Sequence, residues 1–111
     1  MRREKFYFFR TCKNENGERR IETEQGYKFK YGKLCYAIHK LDKFWTATEV
    51  TTGLLVGIYA HRLSDIPERF KEWDRDGKLK LIEDQILSGK NTEITTAQRM
   101  VYEYIKNAEC A

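Results

Sequence analysis

GYKFKYG (26–32) runs directly into KLCYAIHK (33–40), and the period of this stretch decides the fold. Tyr27, Phe29 and Tyr31 alternate with Lys28 and Lys30, a repeat of two that puts rings on one face of an extended strand and ammonium groups on the other. Gly32-Lys33 leaves room only for a tight turn before the next apolar run. A parallel return would need a crossover of a dozen or more residues, so the two runs must pair antiparallel.

The same pattern extends outward in both directions. Upstream, KFYFFRT (5–11) reads as a strand, Asn16-Gly17 within NENGE is a hairpin signal, and the polar RRIETE (19–24) suits an edge strand. Downstream, FWTATEV (44–50) is followed by the turn Thr51-Thr52-Gly53 and by LLVGIYA (54–60), which is apolar and β-branched enough for a central strand.

Beyond this point the period changes to that of a helix. Asp65 is placed to cap a helix with Pro67 in its first turn and Glu68 as a capping-box partner, and Ile66, Phe70 and Trp73 share a face. A second helix is expected over 79–88, with Leu79, Ile82 and Ile86 inward and Gly89 as its stop. A third starts at Thr95 or Thr96 and carries Ala97, Met100, Val101, Tyr104, Ile105 and Ala108 at helical spacing. The expected fold is therefore α+β: an antiparallel β-meander of about five or six strands in the N-terminal half, then three helices packed on one face. One domain is expected over 1–111, with Pro67 the only proline and no linker-like tract.

Composition narrows the function classes. The chain is 41% hydrophobic and 34% charged, as a folded, well-solvated domain should be, and its aromatic content of 14% is enough to furnish a contact surface as well as a core. Residues 1–44 hold 12 basic and 6 acidic side chains, a net +6, whereas 45–111 hold 9 and 11, a net −2. Such a basic half attracts phosphate or an acidic protein surface. Cys12, Cys35 and Cys110 are odd in number and widely spaced, which points to reduced thiols and a cytoplasmic setting rather than a disulfide framework. The apolar run before Arg10 is only four residues long, fewer than the roughly 7–15 of a secretory signal core, and no run approaches the ~20 residues of a membrane span.

EWDRDGKLKLIE (72–83) comes nearest to a chemical motif. On the twelve-position calcium loop, Asp74 and Asp76 fall at the third and fifth positions, Gly77 at the sixth, Leu79 at the eighth and Glu83 at the last. Glu72 replaces the usual leading aspartate, and Lys78 and Lys80 add cations where oxygen ligands should approach. A turn between two helices broken at Gly77 is the expected structure, with calcium held by Glu72, Asp74, Asp76 and Glu83 as a minor alternative. Cys35 and His39 would lie about 13 Å apart along a strand, too far for one zinc ion. Cys35 could meet His61 only through folding; a buried thiol and a surface or edge histidine are expected. No phosphate loop, nucleophile elbow or dinucleotide fingerprint is present.

The basic, aromatic N-terminal strands supply a second possibility. Tyr27, Phe29, Tyr31 and Tyr36 with Lys28, Lys30 and Lys33 are the ingredients of a stacking platform for nucleic acid, although alternation sends rings and lysines to opposite faces. WTATEVTTGLLVG (45–57), a Trp-led strand, a Thr-Gly turn and an apolar return strand, resembles small uncharacterised proteins encoded by bacterial phages and mobile elements. The resemblance implies an accessory role and assigns no catalytic residue. The expectation is a small intracellular binding or accessory protein acting by protein–protein contact, without catalysis or cofactor, and able to form a homodimer through a sheet edge. The alternative is a nucleic-acid-binding protein using Arg19, Arg20, Lys28, Lys30 and Lys33.

Overall fold

The alternating segments become β1 (Lys5–Lys13), β2 (Arg19–Tyr31), β3 (Leu34–Leu41), β4 (Phe44–Glu49) and β5 (Leu55–Ala60), one antiparallel sheet in chain order. The structure is a computed structural model and describes residues 3–110, with side chains described over 3–107. RRIETE and GYKFKYG, separate strands by sequence, are one strand of thirteen residues. Gly26 bends this strand and does not end it. Residues 19–27 pair with β1, while β3 pairs only with 27–31. A Cβ at Gly26 would stand 2.9 Å from both the Phe8 ring and the Ile38 carbonyl oxygen, so only glycine lets the strands cross this closely.

The bend rolls the β1–β2 hairpin over β3 and β4 and makes one face of the sheet concave. Phe8, 1% exposed, reaches His39 with ring centroids 5.0 Å apart although β2 lies between their strands. At the other end of β1, the Thr11 N–H donates to the Gly53 carbonyl at 2.9 Å and the Thr11 hydroxyl to the Thr52 carbonyl at 3.1 Å. The first strand is thereby tied to the β4–β5 turn. LLVGIYA, expected at the centre of the sheet, is the edge strand β5, because a meander laid down in chain order leaves its last strand outermost. Val56, Ile58 and Ala60 are buried, but Leu55 and Tyr59 face outward. A register shift between Thr46 and Ala47 distorts the pairing, and the Thr46 hydroxyl donates to the Ile58 carbonyl at 2.7 Å.

The helices α1 (Ile66–Arg75), α2 (Lys78–Ser88) and α3 (Thr92–Cys110) pack on the opposite, convex face. Phe70 is fully buried and meets Phe29 and Tyr36 edge-on, each with centroids 4.9 Å apart. Ile66, Phe70, Leu79, Ile86 and Ile94 join Leu34, Tyr36, Ile38 and Ile58 in one core. The faces expected of α1 and α2 are thus the ones buried, whereas α3 buries Ile94, Ala97 and Val101 and leaves Tyr104 and Ile105, expected inward, exposed. The ends differ. Asp65 adopts helical angles at the end of a 3-10 turn, so its side chain does not cap α1 and instead accepts from Arg62 at 3.2 Å. The start of α3 lies at Thr92, ahead of the expected Thr95 or Thr96, because Asn91 Oδ1 accepts the Ile94 N–H at 3.2 Å. The side chains of Ala108 and Cys110 lie outside the described residues. Among the described residues no helix is long and apolar enough to cross a membrane.

Candidate partner-binding face

The concave face is built on a buried polar network that the strand crossing assembles. The His39 Nε2 lies 2.7 Å from the Thr48 hydroxyl, and its Nδ1 faces the Lys40 carbonyl at 3.3 Å and Glu24 Oε1 at 3.6 Å. Arg10 extends the network: its guanidinium lies 3.3 Å from Glu22 and 3.2 Å from Glu24. The Nε of Arg10 is buried and makes no well-directed hydrogen bond, so Glu24 holds it by charge. Burial pushes the imidazole of His39 below its ordinary value; Glu24 opposes that and Arg10 adds to it. The ring is therefore neutral near pH 7, accepting from Thr48 and presenting its N–H to Lys40 and Glu24. Arg10 is drawn down by burial, but Glu24, Cys12 and Glu22 outweigh this and leave it raised.

Thr48, His39 and Glu24 stand in the order of a hydroxyl–imidazole–carboxylate relay. Thr48 has no exposed surface and His39 is 2% exposed, so no substrate reaches either group. Their arrangement braces β2, β3 and β4 against one another. His39, expected at the surface or an edge, is buried because the hairpin folds over it.

Around this brace the inner face opens. A cavity of about 220 Å³ is lined by Arg10, Thr11, Cys12, Leu41, Thr48, Gly53 and Leu55. Its β4–β5 side continues into an apolar rim: Phe44 is 37% exposed, Leu55 43% and Tyr59 45%. Phe44 shares its parity with Thr46 and Thr48, whose partners are Tyr59 and Leu55, so all three point to the side without helices. Phe44 also touches His61, with centroids 4.8 Å apart. The backbone edge of β5 is less open. Trp73 leans on Gly57, its ring 3.4 Å from where a Cβ would stand, and the bulge twists the strand; both features blunt an edge.

The residues singled out by sequence fall elsewhere. Glu83 accepts the Lys33 backbone N–H at 3.0 Å and Asp74 accepts the Tyr31 hydroxyl at 2.9 Å, so both carboxylates hold the β2–β3 end of the sheet. Glu72 pairs with Arg69 at 3.2 Å, and Asp76 caps the end of α1 through its backbone. Among the described residues no group of three or more His, Cys, Asp or Glu side chains is gathered to hold a metal ion. Gly77 takes φ 77° between α1 and α2, as the turn requires.

The basic set is divided in the same way. Arg19 and Arg20 lie near the tip of the β1–β2 hairpin, with Arg20 paired to Glu22 at 2.9 Å, while Lys28 and Lys30 lie across from Ala37 and Cys35. Phe29, Tyr31 and Tyr36 are spent on Phe70. Burial and Glu49 push the Tyr36 phenol up to about 12. Cys12 and Cys35 are free, and burial raises the Cys35 thiol, which keeps it protonated and unreactive.

Arg10, Phe44, Leu55 and Tyr59 were not candidates by sequence. The alternation of LVGIYA contained the signal for two of them: Leu55 and Tyr59 share the parity opposite to Val56, Ile58 and Ala60. No protein-family model, curated protein or solved structure matches the chain.

Proposed function

We propose that this protein is a small binding or accessory module that engages a protein partner through the concave face of its sheet and performs no chemistry on it. One observation carries the proposal. Phe44, Leu55 and Tyr59 lie exposed on one side of β4–β5, next to a cavity walled by Arg10. Aromatic anchors and arginine beside a pocket are the chemistry that concentrates binding energy at protein interfaces. The contact is made by side chains, since Trp73 and the bulge obstruct strand addition along β5. Free Cys12 and Cys35 suit a reducing compartment, so the cytoplasm is its proposed setting, in keeping with the accessory role that 45–57 implies.

The test compares cross-linked capture in the native cell by the wild type, by a Leu55→Glu/Tyr59→Ala variant and by a Leu87→Glu variant on α2. Leu87 is 55% exposed on a helix and serves as the control. All three should give the same melting curve. A partner retained by the wild type and the Leu87 variant but lost from the double variant is the expected result; equal capture by all three removes the proposal.

A further inference from the structure

The convex face is not fully covered. Phe29, Tyr31 and Tyr36 lie beneath Phe70 of α1, and Phe9 lies against Tyr104 of α3 with centroids 5.1 Å apart. Between these footprints the register sets Lys5 beside Tyr27, Tyr7 beside Gln25, and Lys40 beside Trp45. Direct partners share a face, so these side chains form one surface. Tyr7 is 68% exposed, and Tyr27 and Trp45 are half-buried with centroids 6.1 Å apart. Lys5 Nζ lies 5.6 Å from the Tyr27 ring centre and Lys40 Nζ 5.6 Å from that of Trp45.

A cavity of about 280 Å³ runs over this surface, lined by Lys5, Gln25, Tyr27, Ile38, Lys40 and Trp45, with Glu24, Gly26 and His39 along its side. Glu24 is already committed to Arg10 and His39. Neither Lys5 nor Lys40 forms a salt bridge with a carboxylate among the described residues. Two ammonium groups without a carboxylate partner thus lie over the Tyr27 and Trp45 rings, from which they can swing to a phosphate, and the exposed Tyr7 ring shares their face of the sheet.

We infer that this bare part of the convex face binds single-stranded nucleic acid, with bases stacked on Tyr7, Tyr27 and Trp45 and phosphates held by Lys5 and Lys40. Flat rings take any base by its π face, and lysines on either side follow the backbone. A purely acidic peptide such as polyglutamate would satisfy the lysines but offer no flat group to the Tyr7 ring, whereas every nucleotide brings a phosphate and a base together, so the observations favour nucleic acid. The proposed protein-binding face lies on the other side of the sheet, and the two stand or fall separately.

The probes are short labelled oligothymidine and oligouridine, followed by fluorescence anisotropy on the intact chain and by Trp45 emission in a Trp73→Phe background. Binding at low salt with quenching of Trp45 is expected. The log of affinity should fall with log salt at a slope of about −1.4 for two phosphate contacts, and Lys40→Ala should reduce that slope by about 0.7. Tyr7→Ala, which removes an exposed ring and so leaves folding intact, should weaken binding by about 5- to 150-fold, whereas Leu55→Glu/Tyr59→Ala should leave it unchanged. Three results overturn the inference: no binding by folded protein at low salt, a Tyr7→Ala variant that binds as well as wild type, or displacement by polyglutamate as effective as by unlabelled oligothymidine.

Discussion

Replacing Gly53 by alanine should cost far more stability than replacing Gly17, although both glycines take a similar positive φ. Gly53 has φ 66° and Gly17 φ 78°. Alanine in this left-handed region costs about 1–2 kcal/mol at either site, and the stiffening of the unfolded chain is also common to both, so these terms cancel in the comparison. What differs is the surroundings. A Cβ at Gly17 meets nothing within 4 Å, whereas one at Gly53 would stand 2.8 Å from the Phe9 carbonyl oxygen and 2.8 Å from the Thr11 nitrogen. Both neighbours are backbone, so relief requires β1 to leave the β4–β5 turn. That breaks the Thr11 N–H bond to Gly53 and the Thr11 hydroxyl bond to Thr52. A lost hydrogen bond costs about 1 kcal/mol, and a donor left buried without a partner about 1–3 kcal/mol. Gly53→Ala should therefore lose about 2–4 kcal/mol more than Gly17→Ala, a large part of the 5–15 kcal/mol typical of a domain. Urea unfolding of the two variants in parallel, with matched m-values, measures the difference. If they agree within about 0.5 kcal/mol, the closure of the sheet at Thr11 and Gly53 contributes nothing and the account of the curl fails.

Two further outcomes follow from polar groups already engaged within the fold. Because the folded state lowers the pKa of His39, the unfolded chain takes up that proton first as pH falls. The His39 contribution is intact above about pH 6.5 and is lost toward the folded pKa below it, at up to about 1.4 kcal/mol per pH unit. A His39→Gln variant should show a flatter loss of stability below that pH by urea unfolding; parallel curves would contradict the burial of a neutral imidazole. Adding millimolar calcium should leave the thermal midpoint where a chelator leaves it, since Glu83 and Asp74 are already engaged by Lys33 and Tyr31. A rise in the midpoint with calcium would show that those bonds yield to the ion.

The chain itself determined most of what depends on near neighbours, the caps of α1 and α3 excepted. Alternation in KFYFFRT, GYKFKYG and KLCYAIHK specifies strands, short turns force antiparallel pairing in chain order, and the spacing of Ile66/Phe70 and Leu79/Ile86 selects the helix faces that are buried. Even the exposed pair Leu55 and Tyr59 was implicit in the period of β5. Tertiary structure decided which of several equivalent residues is covered. Tyr27, Phe29 and Tyr31 share one strand and one face, yet Phe29 and Tyr31 lie against Phe70 while Tyr27 remains beside Lys5 and Trp45. Gly26 looked like a break in a strand and became the bend that carries Phe8 onto His39. Glu83 and Asp74 matched a calcium loop and were claimed by a turn and a tyrosine distant in sequence. The reason is physical: a periodic pattern fixes the direction of a side chain relative to its own backbone. Its partner is set by the path of the whole chain, and here that path turns on one residue without a side chain.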